Sequence, residues 1–256
     1  MVEIKRKAAL ITGGAKRIGR AVARDLAAHG WAVAVHCHRS LADAEGLVAE
    51  IESAGGRAAV LQADLGREEE VARLVPEAAE RLGPLTLLVN NASVFERDEA
   101  LTATRDSWDL HLEANLRAPF VLIQHFARQL PEPERGLVVN LLDQRVWNLT
   151  PHFTSYTVSK AALWTLTQTL ALALAPRIRV NAIGPGPTLR NERQTEEHFR
   201  EQALSVPLRR STDPTEIAAA IRFLLDAPAV TGQMIALDGG EHLGWAQPSR
   251  GFVPKE

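Results

Sequence analysis

Ala8-Ala9-Leu10-Ile11-Thr12-Gly13-Gly14-Ala15-Lys16-Arg17-Ile18-Gly19 decides the reading of the fold. Residues 8–12 are an apolar run of strand length, and a helical pattern opens over residues 17–29. A glycine turn joins the two. Glycines at such a junction let the backbone approach a phosphate, and the helix N-terminus adds unpaired N–H groups and a positive dipole end. Gly13, Arg17, Ile18 and Gly19 are therefore candidate contacts for a dinucleotide. The same residues also read as a tight turn without a ligand.

The alternation continues outward from this unit. Strand patterns recur at residues 31–37, 57–63, 85–90, 136–142 and 179–183 and at Met234–Leu237. Helical patterns lie between them at residues 41–54, 67–82, 104–130 and 153–175 and at Pro214–Asp226. Strict alternation implies a parallel sheet with helices on both faces. No linker or composition shift divides the chain, so residues 1–256 read as one α/β domain, a Rossmann-type doubly wound sheet of about seven strands. Residues 184–207 are the exception. They are rich in Pro, Arg and Glu with a short helix near 196–203, and a connection that long reads as a lid over a site. Residues 241–256 form a C-terminal tail.

Composition narrows the function. The 256 residues are 46% hydrophobic and 23% charged with a net charge of −2, so no basic surface points to nucleic acid. No stretch reaches the ~20 apolar residues of a membrane helix. Lys5-Arg6-Lys7 before residues 8–11 imitates a signal peptide, but the apolar run stops too soon. A single cysteine, Cys37, permits no internal disulfide and no thiol set for zinc, which suits a reducing, cytoplasmic compartment.

The second strand ends in His36-Cys37-His38-Arg39-Ser40. An NAD enzyme usually places a carboxylate here for the ribose 2′-OH, and none occurs before Asp43. Arg39 and Ser40 offer a guanidinium fork and a hydroxyl, suited to a 2′-phosphate, which selects NADPH as cofactor. His36 and His38 lack a third metal ligand, so they read as packing or as help for the phosphate, with no metal site. Asp64 and Leu65 follow the third strand. Asp64 can accept from an adenine amino group or cap the next helix. Asn90-Asn91-Ala92-Ser93 ends the fourth strand at the carboxyl edge, where open α/β sheets bind ligands. Asn115 falls mid-helix, a position that disfavours asparagine and hints that its amide is used.

Ser155-Tyr156-Thr157-Val158-Ser159-Lys160 opens a long apolar helix. Tyr156 is the only tyrosine, and Lys160, one turn later, shares its face. A free phenol titrates near ~10. A neighbouring ammonium should lower that value and make Tyr156 a working general acid. The alternative is a surface tyrosine with a lysine one turn on. Leu163, Leu166, Leu170 and Leu174 recur at helical spacing on the same helix, consistent with burial against the sheet or against a second subunit.

Taken together these motifs resemble the short-chain dehydrogenases/reductases over nearly the whole chain. The glycine turn, Asn90-Asn91-Ala92, Asn115, Tyr156 with Lys160, Pro185-Gly186 and Asp238-Gly239-Gly240 fall in that family's order and spacing. The resemblance implies that Asn115, Tyr156 and Lys160 are catalytic. It also implies that Tyr156, Lys160, Asn91, Ala92 and Ser93 meet the cofactor, with Pro185, Gly186 and Thr188 along the nicotinamide. It further implies a homotetramer. Two departures stand out: Arg17 replaces the middle glycine of the motif, and Asp143 occupies the place of the catalytic serine, thirteen positions before the tyrosine. Both are features of the pteridine reductase branch, including bacterial dihydromonapterin reductases. His38-Arg39-Ser40, the Asn91–Phe95 stretch, Asn191-Glu192 and the stretch from Phe199 to Leu204 resemble it too. That branch implies a dihydropterin substrate against Arg17, Ser93, Phe95, Asp143, Tyr156 and Leu189, with Phe95 stacking on the ring. Other readings stay open: Asp143 as a loop cap, Phe95 as packing, a carbonyl reductase, or a regulator without chemistry. The tail, with Trp245 and Arg250, has no settled role; it could complete a neighbouring subunit's site.

Overall fold

The computed structural model describes residues 7–191 and 193–244. Strands β1 (Ala8–Ile11), β2 (Ala32–Cys37), β3 (Ala58–Gln62), β4 (Leu87–Asn90), β5 (Gly136–Leu141), β6 (Ile178–Pro185) and β7 (Met234–Leu237) form one sheet. All neighbours pair in parallel, in the order β3-β2-β1-β4-β5-β6-β7. Every residue of β1, β2, β4 and β5 is buried, which their continuous apolar runs require of a sheet covered on both faces.

Successive residues of β1 serve opposite layers. Ala8 and Leu10 join a core closed by α3 (Glu68–Leu82) and α5 (Ala118–Gln129). Ala9 and Ile11 join the other, under α1 (Arg17–Ala28), α2 (Leu41–Ser53) and α8 (Pro214–Asp226). Strand order reverses at β1, which lies between β2 and β4. The crevice that such a switch opens at the carboxyl ends of the strands is where the site forms.

Three expectations change. The helix expected over 104–130 is interrupted: α4 (Arg105–Leu112) and α5 are joined by a π-helical turn, Glu113–Arg117, with Asn115 fully buried inside it. β6 runs to Pro185, so the lid begins later than residue 184, and its helix α7 (Glu196–Ser205) is longer than expected. On α6 (Thr154–Leu174) the leucine stripe packs within the chain, Leu163 and Leu166 in one cluster and Leu170 and Leu174 against another, so it carries no information about a second subunit. Among the described residues no helix is long and apolar enough to cross a membrane. Trp245 and Arg250 lie outside the described residues.

Candidate active site

The glycine turn sets the floor of the site. Gly13 has a left-handed backbone, φ +62°, and a Cβ on Gly19 would sit 2.2 Å from the Gly13 carbonyl oxygen, so only glycine fits at 19. Arg17 also has positive φ, 53°, which costs a residue with a Cβ on the order of 1 kcal/mol. Its guanidinium spans the crevice and donates to Leu189 O at 2.9 Å and Arg190 O at 2.7 Å. The side chain that replaces the motif glycine thus latches the lid segment. Asn91 Nδ2 holds the turn from the other side, donating to Thr12 O at 2.8 Å and Gly13 O at 3.1 Å.

His36 is a structural part of this turn. Its Nδ1 accepts from Gly13 N at 3.1 Å, which leaves Nε2 to donate to Ala63 O at 3.1 Å. Burial pushes its pKa down to about 4, so it stays neutral. Beyond the ends of β2 and β3, His38 and Arg39 are exposed and Ser40 half-buried. Among the described residues the Arg39 guanidinium has no hydrogen-bond or ion-pair partner. Asp64 Oδ1 accepts from Gly66 N at 2.9 Å, and its Oδ2 lies 3.8 Å from His38 Nε2. Asp64 therefore shapes the loop and leaves the N-cap of α3 to Arg67. Leu65 turns its side chain into the core. These ends of β1 and β2 fit a dinucleotide with a 2′-phosphate: a tight backbone cradle and a free guanidinium beside it.

Asn115 is a clamp. The π-helical turn aims its amide at Val94, accepting from Val94 N at 2.8 Å and donating to Val94 O at 2.9 Å, with Ser159 Oγ at 3.1 Å. Its side chain bonds neither Tyr156 nor Lys160; it fixes the 93–95 loop. Tyr156 Oη donates to Asp143 Oδ2 at 2.9 Å, while Asp143 Oδ1 accepts from Arg145 N at 2.9 Å and caps the short turn Gln144–Val146. Lys160 Nζ donates to Leu141 O at 2.8 Å and lies 5.9 Å from the centre of the tyrosine ring.

This geometry corrects the expected titration. Burial and then the charge of Asp143 raise the Tyr156 pKa well above its usual value, so the phenol is a proton-bearing donor. Burial lowers Lys160 to about 8, against an opposing pull from Asp143. Phe95 stacks on Phe153, with centroids 4.4 Å apart and planes at 16°, and meets the Tyr156 ring edge-on at 4.6 Å. Arg145 and Arg193 stand 5.2 and 5.4 Å from its centroid. Arg193, from the lid, also donates to Phe95 O at 2.6 Å and Glu96 Oε2 at 2.8 Å.

These elements enclose a cavity of about 290 Å³. Its wall includes Arg17, Ile18, Asn91, Ser93, Phe95, Asp143, Tyr156, Lys160, Pro185, Gly186, Thr188 and Leu189. Gly13, Gly19, His38, Arg39, Ser40, Asp64, Leu65, Ala92 and Asn115 lie outside that wall. Among the described residues no three His, Cys, Asp or Glu side chains gather to hold a metal.

Residues 13–242 match the family described as enoyl-(acyl carrier protein) reductase. The chain belongs to the short-chain dehydrogenase/reductase family. It is 32% identical to a 3-oxoacyl-[acyl-carrier-protein] reductase of Staphylococcus epidermidis over 242 residues, 93% of this chain and 99% of the relative. Among solved structures it superposes on FolM alternative dihydrofolate reductase 1 of Brucella suis in complex with NADP, with TM-score 0.92 and 50% identity over 97% and 99% of the two chains. The Brucella canis protein of the same name, also with NADP, gives 0.91 and 48% at the same coverage.

Several residues of this short-chain reductase's site carry no signal in the sequence. Arg145, two positions past Asp143, and Phe153, just before α6, carry no motif. Glu241 follows the Asp238-Gly239-Gly240 signature, yet it lines the cavity, and burial together with the charge of Asp143 raises its pKa to about 7. Asp98 is buried and accepts from Ser155 N at 3.1 Å and Ser107 Oγ at 2.9 Å, which pins the start of α6. Ser155, His111 and Asp98 have the composition of a nucleophilic triad, but His111 Nε2 accepts from Glu96 N at 3.0 Å. Its Nδ1 therefore carries the hydrogen and cannot take a proton from Ser155.

Proposed function

We propose that this chain reduces a 7,8-dihydropterin, such as dihydrobiopterin or dihydromonapterin, or dihydrofolate, to the tetrahydro form with NADPH. The observation that carries this reading is Asp143, hydrogen-bonded to Tyr156 on the cavity wall where carbonyl reductases of the family hold a serine. A carboxylate there repels the oxyanion that a ketone becomes, whereas reduction of a C6=N5 imine creates none. The Brucella proteins named alternative dihydrofolate reductase 1, 48–50% identical, support the same substrate class.

When bound, NADPH supplies the hydride that reaches C6. The chain's own residues manage the matching proton at N5. Asp143 would lie against that nitrogen: the Tyr156 hydroxyl gives its proton to Asp143 as a proton passes from Asp143 to N5, and water then returns a proton to the phenolate. Lys160 ties the end of β5 to α6 and keeps positive charge behind the pair. Arg17 holds the lid segment across the cavity at Leu189 and Arg190, and Phe95, fixed by Phe153 and Arg193, offers an aromatic wall to the flat ring. Arg39 and Ser40 receive the 2′-phosphate. The chain acts as one domain in a cytoplasmic homotetramer. Trp108 and Leu110 on α4 and Leu172 on α6, exposed at 36%, 47% and 85%, supply apolar contact for that assembly.

A second reading, reduction of a 3-oxoacyl thioester, rests on the likeness to the staphylococcal reductase. NADPH oxidation with dihydrobiopterin, dihydromonapterin, dihydrofolate and an acetoacetyl thioester, measured side by side, separates the two. Turnover of the thioester alone would refute the pterin assignment.

A further inference from the structure

We infer that Glu241 is a substrate-recognition residue whose carboxylate accepts hydrogen bonds from hydroxyl groups on the C6 substituent of the dihydropterin, an inference that rests on the pterin reading above. The turn that carries it is built rigidly. Asp238, 2% exposed, accepts from Gly240 N at 2.9 Å and from both His242 N and His242 Nδ1 at 2.7 Å. Asn148 Nδ2 donates to Glu241 O at 3.3 Å. The side chain then reaches the cavity wall, where Oε2 lies 3.0 Å from the position a Cβ on Gly186 would take.

Among the described residues no hydrogen-bond donor meets this carboxylate, although the backbone N–H groups of Gly240, Glu241, His242, Leu243 and Gly244 are all bonded within the turn. In the free enzyme water meets a half-buried acceptor of that kind, and a ligand that displaces the water must bring a donor of its own or leave the carboxylate unpaired. The reaction geometry identifies the donor. Asp143 serves N5, C6 is bonded to N5, and the C6 substituent leaves the ring on that side. Gly186 belongs to the strip that the family resemblance places along the nicotinamide, from which C6 receives hydride. Glu241 adjoins both. Asp143 is close enough to raise its pKa, Asp238 adds to that effect and Arg145 opposes it. Hydroxyls donate to such a carboxyl, whereas a bare alkyl group leaves it unpaired.

The test compares wild type, E241A and E241Q on 7,8-dihydromonapterin, whose side chain is polyhydroxylated, and 6-methyl-7,8-dihydropterin, which has no hydroxyl there. At pH 8, where the Glu241 carboxyl is ionised, E241A should raise KM for the polyol substrate ~10-fold or more with kcat nearly unchanged, the scale of a lost hydrogen bond to a charged group. KM for the methyl substrate should stay within about twofold, and E241Q, which keeps an acceptor oxygen, should recover part of the loss. Unchanged unfolding midpoints keep the comparison to folded enzyme. Equal losses on both substrates, or none on either, would overturn the inference while leaving the pterin reading intact. Wild type that turns over neither pterin but reduces ketones overturns both.

Discussion

Replacing Asp143 with serine separates pterin from carbonyl chemistry most directly. Asp143 accepts from Tyr156 Oη and Arg145 N, both at 2.9 Å, through two different oxygens. A serine has one oxygen on a shorter arm and loses at least one of these bonds, a stability cost of about 1 kcal/mol. Chemistry changes more. Loss of the proton-delivering carboxyl should lower kcat/KM for dihydropterin on the order of 10²-fold, or about 2.7 kcal/mol of transition-state stabilisation. Activity on simple ketones should hold or rise, because the oxyanion no longer faces a negative charge. The charge of Asp143 raises Tyr156, Lys160 and Glu241 alike, so its removal should shift each of their titrations to lower pH. Steady-state kinetics with both substrate classes from pH 5 to 9 reads all of this. Intact dihydropterin turnover in Asp143→Ser would refute the assignment and leave Asp143 as the cap of its short turn.

Arg39→Ala should weaken NADPH ~10–100-fold and NADH hardly at all, by fluorescence titration, since only NADPH carries the phosphate; equal weakening would remove Arg39 from that role. Arg17→Gly removes a left-handed arginine and two donors to the lid, so the thermal midpoint should hold within a few degrees while dihydropterin KM rises severalfold. The neutral, buried His36 binds protons in the unfolded chain near 6.5 and in the folded chain only near 4, so stability falls as pH drops through that window. At pH 5 the loss is about 2 kcal/mol, and His36→Gln should show a correspondingly smaller acid decline in denaturant titrations. Light scattering should give the mass of four chains, and a monomer at working concentration would end the proposed assembly.

Most of the architecture was legible because a parallel sheet leaves continuous apolar runs, such as residues 31–35, separated by one-sided helices. The π-helical turn was not legible, since hydrophobic spacing across 104–130 does not register one extra residue in a turn. The site divided in the same way. Residues whose backbone or chemistry is constrained locally, such as Gly19, Tyr156 and Lys160, were found from spacing. Arg145 and Phe153 from the β5–α6 connection, Arg193 from the lid and Glu241 after β7 come from three separate connections and meet only in the folded chain. The direction of the Tyr156 titration is not legible in the sequence, which shows Lys160 one turn away but neither the depth of burial nor that Nζ is taken by the Leu141 carbonyl.

The turn at Glu113–Arg117 bears on how this gene can vary in length. One residue beyond a regular turn rotates everything after it by about 100°, so α4 and α5 present faces in unrelated phases. That phase break lets α4 lean on α6 while α5 lies against α3. Point substitutions on the exposed side of this segment should be tolerated among descendants of the chain. A single-codon deletion there should not be: it would restore a regular helix, swing Asn115 away from Val94, and misalign one flanking helix or the other. Natural variation at this point is expected in residue identity and not in residue number.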